Sequence, residues 1–288
     1  MNSEIRNMLK QTDPNLDLTD RIREVVQNLT LYGLSNTGFR DRAVFYGGTA
    51  LRLFHGLDRF SEDLDFSLRS PDPDFQFDEY LPDLENTLSS FGIRMEAKVR
   101  QKNVESTIRS AFLKGNTKEL MLEMCPDDVP KGILGTDITK IKFEVDIDPP
   151  PYARFERMSS AVPFLYTVDL YDLPSLFAGK LHAVLCRKWR NRVKGRDLYD
   201  FLFYMARDIP VNMEHLEARL RQTGCIGPDC VFDRPCLLGM LEDRLAAIDY
   251  AEAKKDVIGF VNRPDSLNGW NGESFVNISK KIRTAEYR

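Results

Sequence analysis

The pattern of apolar and polar positions predicts mixed helices and strands first and a helical carboxy-terminal part afterwards. Ile22, Val25, Val26 and Leu29 form a helical stripe within residues 1–35. After about residue 165 helical spacing dominates again. Between these parts, turn residues separate four predicted strands, which are Ile93–Arg100, Thr107–Leu113, Glu119–Met124 and Ile141–Ile147.

A glycine turn interrupts the stretch Val44–Leu68. A short apolar run breaks at Gly47 and Gly48, and a helical pattern begins at Thr49. Glycines let the backbone approach a phosphate closely, and the free N–H groups at the start of a helix attract anions. Because Thr49 adds a hydroxyl donor, we expect Gly47, Gly48 and Thr49 to form a cradle for phosphate.

Two aspartates follow the turn on a predicted strand. Side chains alternate across a strand, so Asp63 and Asp65 face one side and the other face can be buried. Adjacent carboxylates repel each other unless a cation lies between them, and hard oxygen ligands suit magnesium. Taken alone, such a pair is more often a solvent-exposed strand face. Beside the glycine turn, it predicts a metal site next to bound phosphates.

The predicted strand Ile141–Ile147 supplies a further acidic face. Its apolar residues share one side, and Lys142, Glu144 and Asp146 share the other. A two-metal site can activate an attacking hydroxyl and stabilise a leaving pyrophosphate oxygen, and it needs a further carboxylate that binds or deprotonates the nucleophile. Asp146 is the first candidate and Glu144 the second. The alternative is that Lys142–Asp146 is simply a surface strand.

The helical part adds a lysine, two aspartates and a basic segment. Lys180 lies outside the apolar stripe of its predicted helix and could hold a triphosphate as a point charge. Asp197 and Asp200 could position Lys180 or a nucleobase, or simply pair with nearby bases. The segment 187–196 carries six basic residues and no acid, which suits a polyphosphate or an RNA backbone but also a solvated face. Its basic residues are Arg187, Lys188, Arg190, Arg192, Lys194 and Arg196.

Composition limits the classes of protein that fit. The chain has 288 residues, 42% of them hydrophobic and 29% charged, which suits one large domain or two modest ones. The net charge of −4 means that any RNA contact needs a local basic patch. No stretch is long and apolar enough to span a membrane. The 5 cysteines, without a CxxC pair, favour reduced thiols in a cytoplasmic protein and do not predict zinc.

Two motifs resemble those of a known family. The stretches are GGTALRLFHGLDRFSEDLDF and LFAGKLHAVLCRKWRNRVKGRDLYDF. They resemble the first motif and the later lysine and RDxxD motifs of the AbiEii/AbiGii nucleotidyltransferase toxins, which belong to the DNA-polymerase-β-like nucleotidyltransferase superfamily. The resemblance covers roughly residues 15–285 and is looser in the last third.

The resemblance implies roles for individual residues. Gly48 and Thr49 would hold the triphosphate, and Asp63 and Asp65 would bind the metal. Lys180 would contact the nucleotide phosphates. The late essential aspartate would be Asp200, with Asp197 as the alternative, and the third carboxylate would be Glu144 or Asp146. Arg187 and Arg196 would add contacts to the nucleotide.

The resemblance also implies a fold and an activity. We expect an α/β (α+β) nucleotidyltransferase domain with a mixed sheet over residues 1–165 and a helical domain over residues 166–288, with the nucleotide in the cleft between them. Two Mg²⁺ ions and an NTP would serve transfer of NMP to an RNA, with tRNA as the first candidate, and release of pyrophosphate. A cognate antitoxin and a role in phage defence are also implied. The alternatives are a protein or small-molecule acceptor, or a catalytically silent module that binds RNA or protein.

Overall fold

The chain forms two compact units. The computed structural model describes residues 3–100, 106–125, 129–130, 132–188 and 193–285. Unit 1 consists of Met1–His55, Phe60–Pro149 and Glu156–Leu170. Unit 2 consists of Gly56–Arg59, Pro150–Phe155 and Tyr171–Arg288. The short segment between the predicted glycine turn and the aspartates therefore belongs to unit 2, although both flanking stretches belong to unit 1.

A mixed sheet of seven strands is found among the described residues. Its strands are β1 (Ala43–Tyr46), β2 (Leu64–Leu68), β3 (Glu96–Arg100), β4 (Ile108–Asn116), β5 (Ile138–Asp146), β6 (Phe155–Ser160) and β7 (Tyr166–Tyr171). They are ordered β3-β4-β5-β2-β1-β7-β6. Strand β1 is antiparallel to β2 and parallel to β7, β2 is parallel to β5, and β3, β4 and β5 form antiparallel pairs. This mixed α/β architecture confirms the predicted fold class.

Helices cover the sheet of unit 1. They are α1 (Ser3–Gln11), α2 (Leu18–Ser35), α3 (Phe39–Arg42), α4 (Gly47–His55), α5 (Leu81–Ser90) and α6 (Thr117–Met124). Asp17 begins α2 by accepting a hydrogen bond from the Asp20 N–H. The stripe predicted on α2 is buried, as are the alternating apolar residues of β5 such as Phe143 and Val145. Because one face of β2 and β5 is buried in this core, the charged side chains of both strands lie on the other face.

Unit 2 is mainly helical. Its helices are α7 (Leu173–Cys186), α8 (Gly195–Ala206), α9 (Met213–Gln222), α10 (Arg234–Ala246), α11 (Tyr250–Val257) and α12 (Gly272–Ser279). Asp172 caps α7, and Pro174 lies in its first turn. Phe177 of α7 stacks on Tyr204 of α8, with ring centroids 4.5 Å apart. This contact holds α7 against α8, the two helices that carry the lysine and aspartates singled out above.

Three sequence-based expectations were wrong. Residues 119–124 form a helix rather than a strand, because Asn116 caps them by accepting from the Glu119 N–H. The segment after residue 165 begins with strand β7, in which Tyr166, Val168 and Leu170 alternate as buried residues. The cysteines are not all reduced, because a disulfide joins two of them, Cys186 and Cys225.

No helix within the described part of the chain combines the length and the apolar character that a membrane crossing requires.

Candidate functional site

The predicted acidic strands are neighbours in the sheet. In the parallel ladder of β2 and β5, Asp65 lies beside Glu144 and Ser67 beside Asp146. Asp63 immediately precedes β2, and Leu64 and Phe66 of that strand are buried. Neighbouring residues in register project to the same face of a sheet. The carboxylates of Asp63, Asp65 and Glu144 therefore belong to one face of two adjoining strands.

Side chains from two helices fix the backbone before β2. Gln27 of α2 donates from Nε2 to the carbonyl oxygens of Ser61 and Glu62, at 2.8 and 2.9 Å. Thr49 of α4 donates from Oγ1 to the carbonyl oxygen of Asp63 at 2.5 Å. Gln27 and Thr49 are fully buried. Three successive carbonyls are thus held, which fixes the position at which Asp63 leaves the loop.

The Thr49 hydroxyl has a structural partner. Its bond to the Asp63 carbonyl joins the start of α4 to the start of the acidic strand. The assignment of this hydroxyl to a phosphate remains a prediction.

Both the backbone conformation at position 47 and the nearby Asp65 side chain require glycine there. Helix α4 starts directly after β1, and Gly47 at this junction has φ +86°. This is the left-handed region that L side chains rarely adopt. A Cβ atom placed on Gly47 would lie 2.5 Å from Oδ2 of Asp65. The absence of a side chain therefore leaves the space that the Asp65 carboxylate occupies.

The two candidates for the third carboxylate have different surroundings. Glu144 accepts a hydrogen bond from Oγ of Ser110 at 3.1 Å and pairs with Nζ of Lys142 at 2.8 Å. Asp146 is 9% exposed, and its Oδ1 accepts from the N–H of Asp148 at 3.1 Å. The ladder puts Glu144, rather than Asp146, beside Asp65.

The donor chemistry of this face fits a hard divalent cation. Asp63, Asp65 and Glu144 are all partly exposed, so their oxygens are not sealed in the core. They offer only carboxylate oxygens, which are the ligands that Mg²⁺ takes alongside water and substrate phosphates.

In unit 2, a second set of predicted residues meets. Nζ of Lys180, on α7, lies 2.8 Å from Oδ1 of Asp197 and 2.8 Å from Oδ2 of Asp200. Both aspartates lie on α8, three residues apart, so they share a helix face. Asp200 is fully buried, and 15% of the Lys180 side chain is exposed. The structure therefore brings the predicted lysine and both late aspartates into one ion cluster.

Arg59 completes this cluster and was not singled out from the sequence. Its guanidinium binds Asp200 through two bonds of 2.6 Å, from Nε to Oδ1 and from Nη2 to Oδ2. Only 3% of Arg59 is exposed. The one signal in the sequence is a charged pair, Asp58 and Arg59, between the apolar Leu57 and Phe60. This signal identifies no partner, since Asp200 lies 141 residues further along the chain.

The cluster keeps its members charged. Burial alone would raise the pKa of the Asp200 carboxyl, but Arg59 and Lys180 outweigh that effect and lower it. Burial alone would lower the pKa of the Lys180 ammonium, but Asp197 and Asp200 raise it. A buried charge is tolerated only with such partners. Lys180 is therefore a fixed ammonium ion across the neutral range of pH.

The basic segment is only partly described. Arg187 pairs with Asp197 at 2.5 Å while 46% of its side chain remains exposed. The Arg196 guanidinium lies over the ring of Phe260, 4.1 Å from its centroid. Lys188 is exposed. Arg190 and Arg192 lie outside the described residues.

The comparisons with known proteins identify the family. A family model described as nucleotidyl transferase AbiEii toxin, type IV TA system, matches residues 29–271. The chain belongs to the AbiEii family of nucleotidyl transferase toxins. This confirms the resemblance found in the two motifs. An AbiEii toxin is an enzyme that uses an NTP and is the partner of an antitoxin. No curated protein sequence matches the chain.

Several solved structures are similar to this AbiEii chain over most of their length. JHP933 from Helicobacter pylori has 17% identity and a TM-score of 0.48, covering 92% of this chain and 90% of that one. A putative nucleotidyltransferase from H. pylori has 19% identity and a TM-score of 0.47, covering 92% of both. MenT4, a nucleotidyltransferase toxin from Mycobacterium tuberculosis H37Rv, has 16% identity and a TM-score of 0.44, covering 97% and 98%.

Proposed function

We propose that this AbiEii toxin transfers NMP from an NTP to a hydroxyl group of an RNA, with tRNA as the first candidate. The observation that carries the proposal is the shared face of Asp63, Asp65 and Glu144 on two adjoining strands, beside the turn at Gly47. This face joins oxygen ligands for a cation to a helix start suited to phosphates. Few other chemistries require both.

In the proposed reaction, the acceptor oxygen forms a bond to the α-phosphorus while the bond from that phosphorus to the bridging oxygen of the pyrophosphate breaks. Gly47 and Gly48 admit the phosphates to the start of α4, where N–H groups face the anion. Asp63, Asp65 and Glu144 would hold Mg²⁺, which supplies charge neutralisation at the phosphates. The acceptor proton passes to a carboxylate, and pyrophosphate leaves.

We assign the role of third carboxylate to Glu144. The sequence put Asp146 first and Glu144 second. Both residues share a strand face, so the sequence allowed no firm ranking. The register supports Glu144, because it adjoins Asp65 whereas Asp146 adjoins Ser67. The Oδ1 atom of Asp146 is also used by the Asp148 N–H.

Lys180 supplies a fixed positive charge in the proposed reaction, as the family motif implies. The Lys180 ammonium contacts the nucleotide phosphates, and Asp197 and Asp200 hold it in place. Arg187 and Arg196 add positive charge that suits the backbone of an RNA acceptor. Phosphate contacts from Lys and Arg give affinity for nucleic acid without reading its sequence.

A transfer assay with three acceptor pools tests the proposal. The protein is incubated with each α-labelled NTP, Mg²⁺ and either total tRNA, cell protein or metabolites. We expect label in the tRNA pool and pyrophosphate release in equal amount. Label only in protein or in metabolites would replace the RNA acceptor, and no transfer with any pool would indicate a silent binding module. A role in phage defence is tested by infecting cells that express the toxin with its antitoxin.

A further inference from the structure

A second cluster of ligand-type side chains lies in unit 2. His182 and Cys186 are one turn apart on α7, and Cys225 follows α9 in the chain. One ligand atom from each of the three lies within 4.8 Å of the others. This is the one such group of histidine, cysteine and acidic ligands among the residues that the structure describes. Sequence reasoning missed it because His182 is far from Cys225 in the chain.

The cluster is linked by hydrogen bonds and by a disulfide. Nε2 of His182 lies 2.9 Å from Oγ1 of Thr223, which in turn lies 3.4 Å from Sγ of Cys225. Cys186 and Cys225 form a disulfide, with Cα atoms 6.2 Å apart. The two sulfur atoms are therefore adjacent, and a ring nitrogen of His182 lies within 4.8 Å of both.

The histidine is in the protonation state that a metal ligand requires. Burial, aided by Arg219 and Arg187, lowers the pKa of His182 to about 4. The ring is thus neutral at neutral pH and keeps a lone pair for a cation.

We propose that, when the disulfide is reduced, His182, Cys186 and Cys225 bind one Zn²⁺ ion. A thiol reductant supplies two electrons and two protons to break the S–S bond and form two thiols. Zinc binding then releases both thiol protons to solvent, so that two thiolates neutralise the dication. One imidazole and two thiolates are typical zinc ligands, and water takes the fourth tetrahedral position.

The disulfide and the proposed zinc-bound form link the same two segments of the chain. Either the disulfide or the zinc ion ties the end of α7 to the segment after α9. Since Lys180 lies on α7, the link secures the helix that carries it. The inference does not depend on the proposed function, because metal binding is measured without NTP or RNA.

Cobalt binding tests the proposal with the full chain. The protein is reduced with a phosphine, freed of metal and titrated with Co²⁺. We expect one equivalent to bind, with a thiolate-to-cobalt charge-transfer band and the strong visible bands of tetrahedral cobalt, and Zn²⁺ to displace it. In the Cys225→Ser variant the band should be lost. In His182→Gln we expect affinity to fall at least tenfold, the smallest loss typical when even an outer partner of a metal site is removed.

Cys230→Ser and Cys236→Ser are the matched controls. These two thiols hydrogen-bond each other and lie outside the cluster. Both variants should bind cobalt as the wild-type protein does. Absence of the thiolate band in the reduced wild-type protein, or its loss in either control, would overturn the proposal.

A measurement on the wild-type protein does not depend on the folding of variants. In the reduced protein, one equivalent of Zn²⁺ should protect two of the 5 cysteines from a maleimide. Mass spectrometry should identify them as Cys186 and Cys225. Equal labelling of these two with and without zinc would also refute the site.

Discussion

Gly47 is the single residue at which backbone conformation and side-chain packing impose the same requirement. Its φ of +86° suits glycine, and the Asp65 carboxylate fills the space where a Cβ would lie. The sequence alone predicted a glycine turn near phosphates. It could not predict the contact with Asp65, because that contact arises only when β1 and β2 pair.

The variant Gly47→Ala tests this requirement. The new methyl group must displace Asp65, and a shift of about 1 Å in a reacting group can reduce a rate about a hundredfold. We expect a loss of that size in label transferred from NTP. Gly38→Ala is the control, because a Cβ there meets nothing within 4 Å. Full activity in Gly47→Ala would contradict the packing argument.

Arg59 shows what a sequence pattern cannot reveal at the residue scale. Its bidentate pair with Asp200 and the Gln27 bonds to the Ser61 and Glu62 carbonyls both join residues distant in the chain. Neither Arg59 nor Gln27 lies in a recognisable pattern. Lys180, by contrast, could be predicted because it lies outside the apolar stripe of its helix.

Replacing Arg59 by Met should strongly destabilise the protein. Removal of one partner from a buried ion pair costs about 3–5 kcal/mol, because the other charge stays buried. Urea denaturation measures the change. Arg283→Met is the control, since Arg283 and Asp208 form an exposed pair worth about 0–1 kcal/mol. Equal effects of the two variants would show that the Arg59 pair is not structurally important.

At the scale of elements, the parallel pair of β2 and β5 assembles the acidic face. The alternation of β5 was predicted from its apolar residues, and the structure places those residues in the core. Pairing of β5 with β2 was not predicted, because strand order depends on contacts across the whole sheet. The error at α6 arose in the same way, since a short apolar run suits either a strand or a helix until its cap is known.

The register makes a prediction that separates Glu144 from Asp146. If Glu144 is the third carboxylate, Glu144→Gln should slow transfer on the order of a thousandfold, which is about 4 kcal/mol of barrier. Asp146→Asn should slow it less than about tenfold. Rates under saturating NTP and Mg²⁺ decide the question. The reverse order of effects would restore the preference drawn from the sequence.

At the scale of the whole molecule, stability should depend on pH through His215. This buried ring binds the Pro151 carbonyl through Nδ1 at 2.8 Å, so Nδ1 carries the proton, and burial lowers its pKa to about 3. Below the ordinary histidine pKa of about 6.5, the unfolded chain binds a proton that the folded chain does not. Stability is therefore lost as the pH falls from that value towards 3.

Urea denaturation at pH 7 and pH 5 measures the effect. Because each pKa unit corresponds to about 1.4 kcal/mol, the contribution of His215 should fall by about 2 kcal/mol over this interval. In His215→Gln the decrease should be smaller than in the wild-type protein by that amount. The same decrease in both proteins would mean that His215 titrates normally in the folded chain.

For the whole molecule, the family is established, whereas the roles of the individual site residues are proposals. Family membership identifies an NTP-using toxin with an antitoxin partner. The fold class agrees with what the two motifs indicated. Asp197 pairs both with Lys180 and with Arg187 of the basic segment, so it makes both of the contacts that the sequence left open. Recognition of the acceptor depends on a surface that local sequence patterns do not define. The sequence therefore indicates the class of reaction more closely than it indicates the acceptor.

The most direct measurement follows α-labelled nucleotide from NTP into RNA with the wild-type protein and with Asp63→Asn and Asp65→Asn. Asp74→Asn, an exposed aspartate of unit 1, is the control. We predict Mg²⁺-dependent labelling that a chelator abolishes. Each of these two variants should lose on the order of a thousandfold in rate, about 4 kcal/mol of barrier, and the control should remain active. Undiminished transfer by Asp63→Asn or Asp65→Asn would contradict the assignment of this acidic face as the catalytic centre.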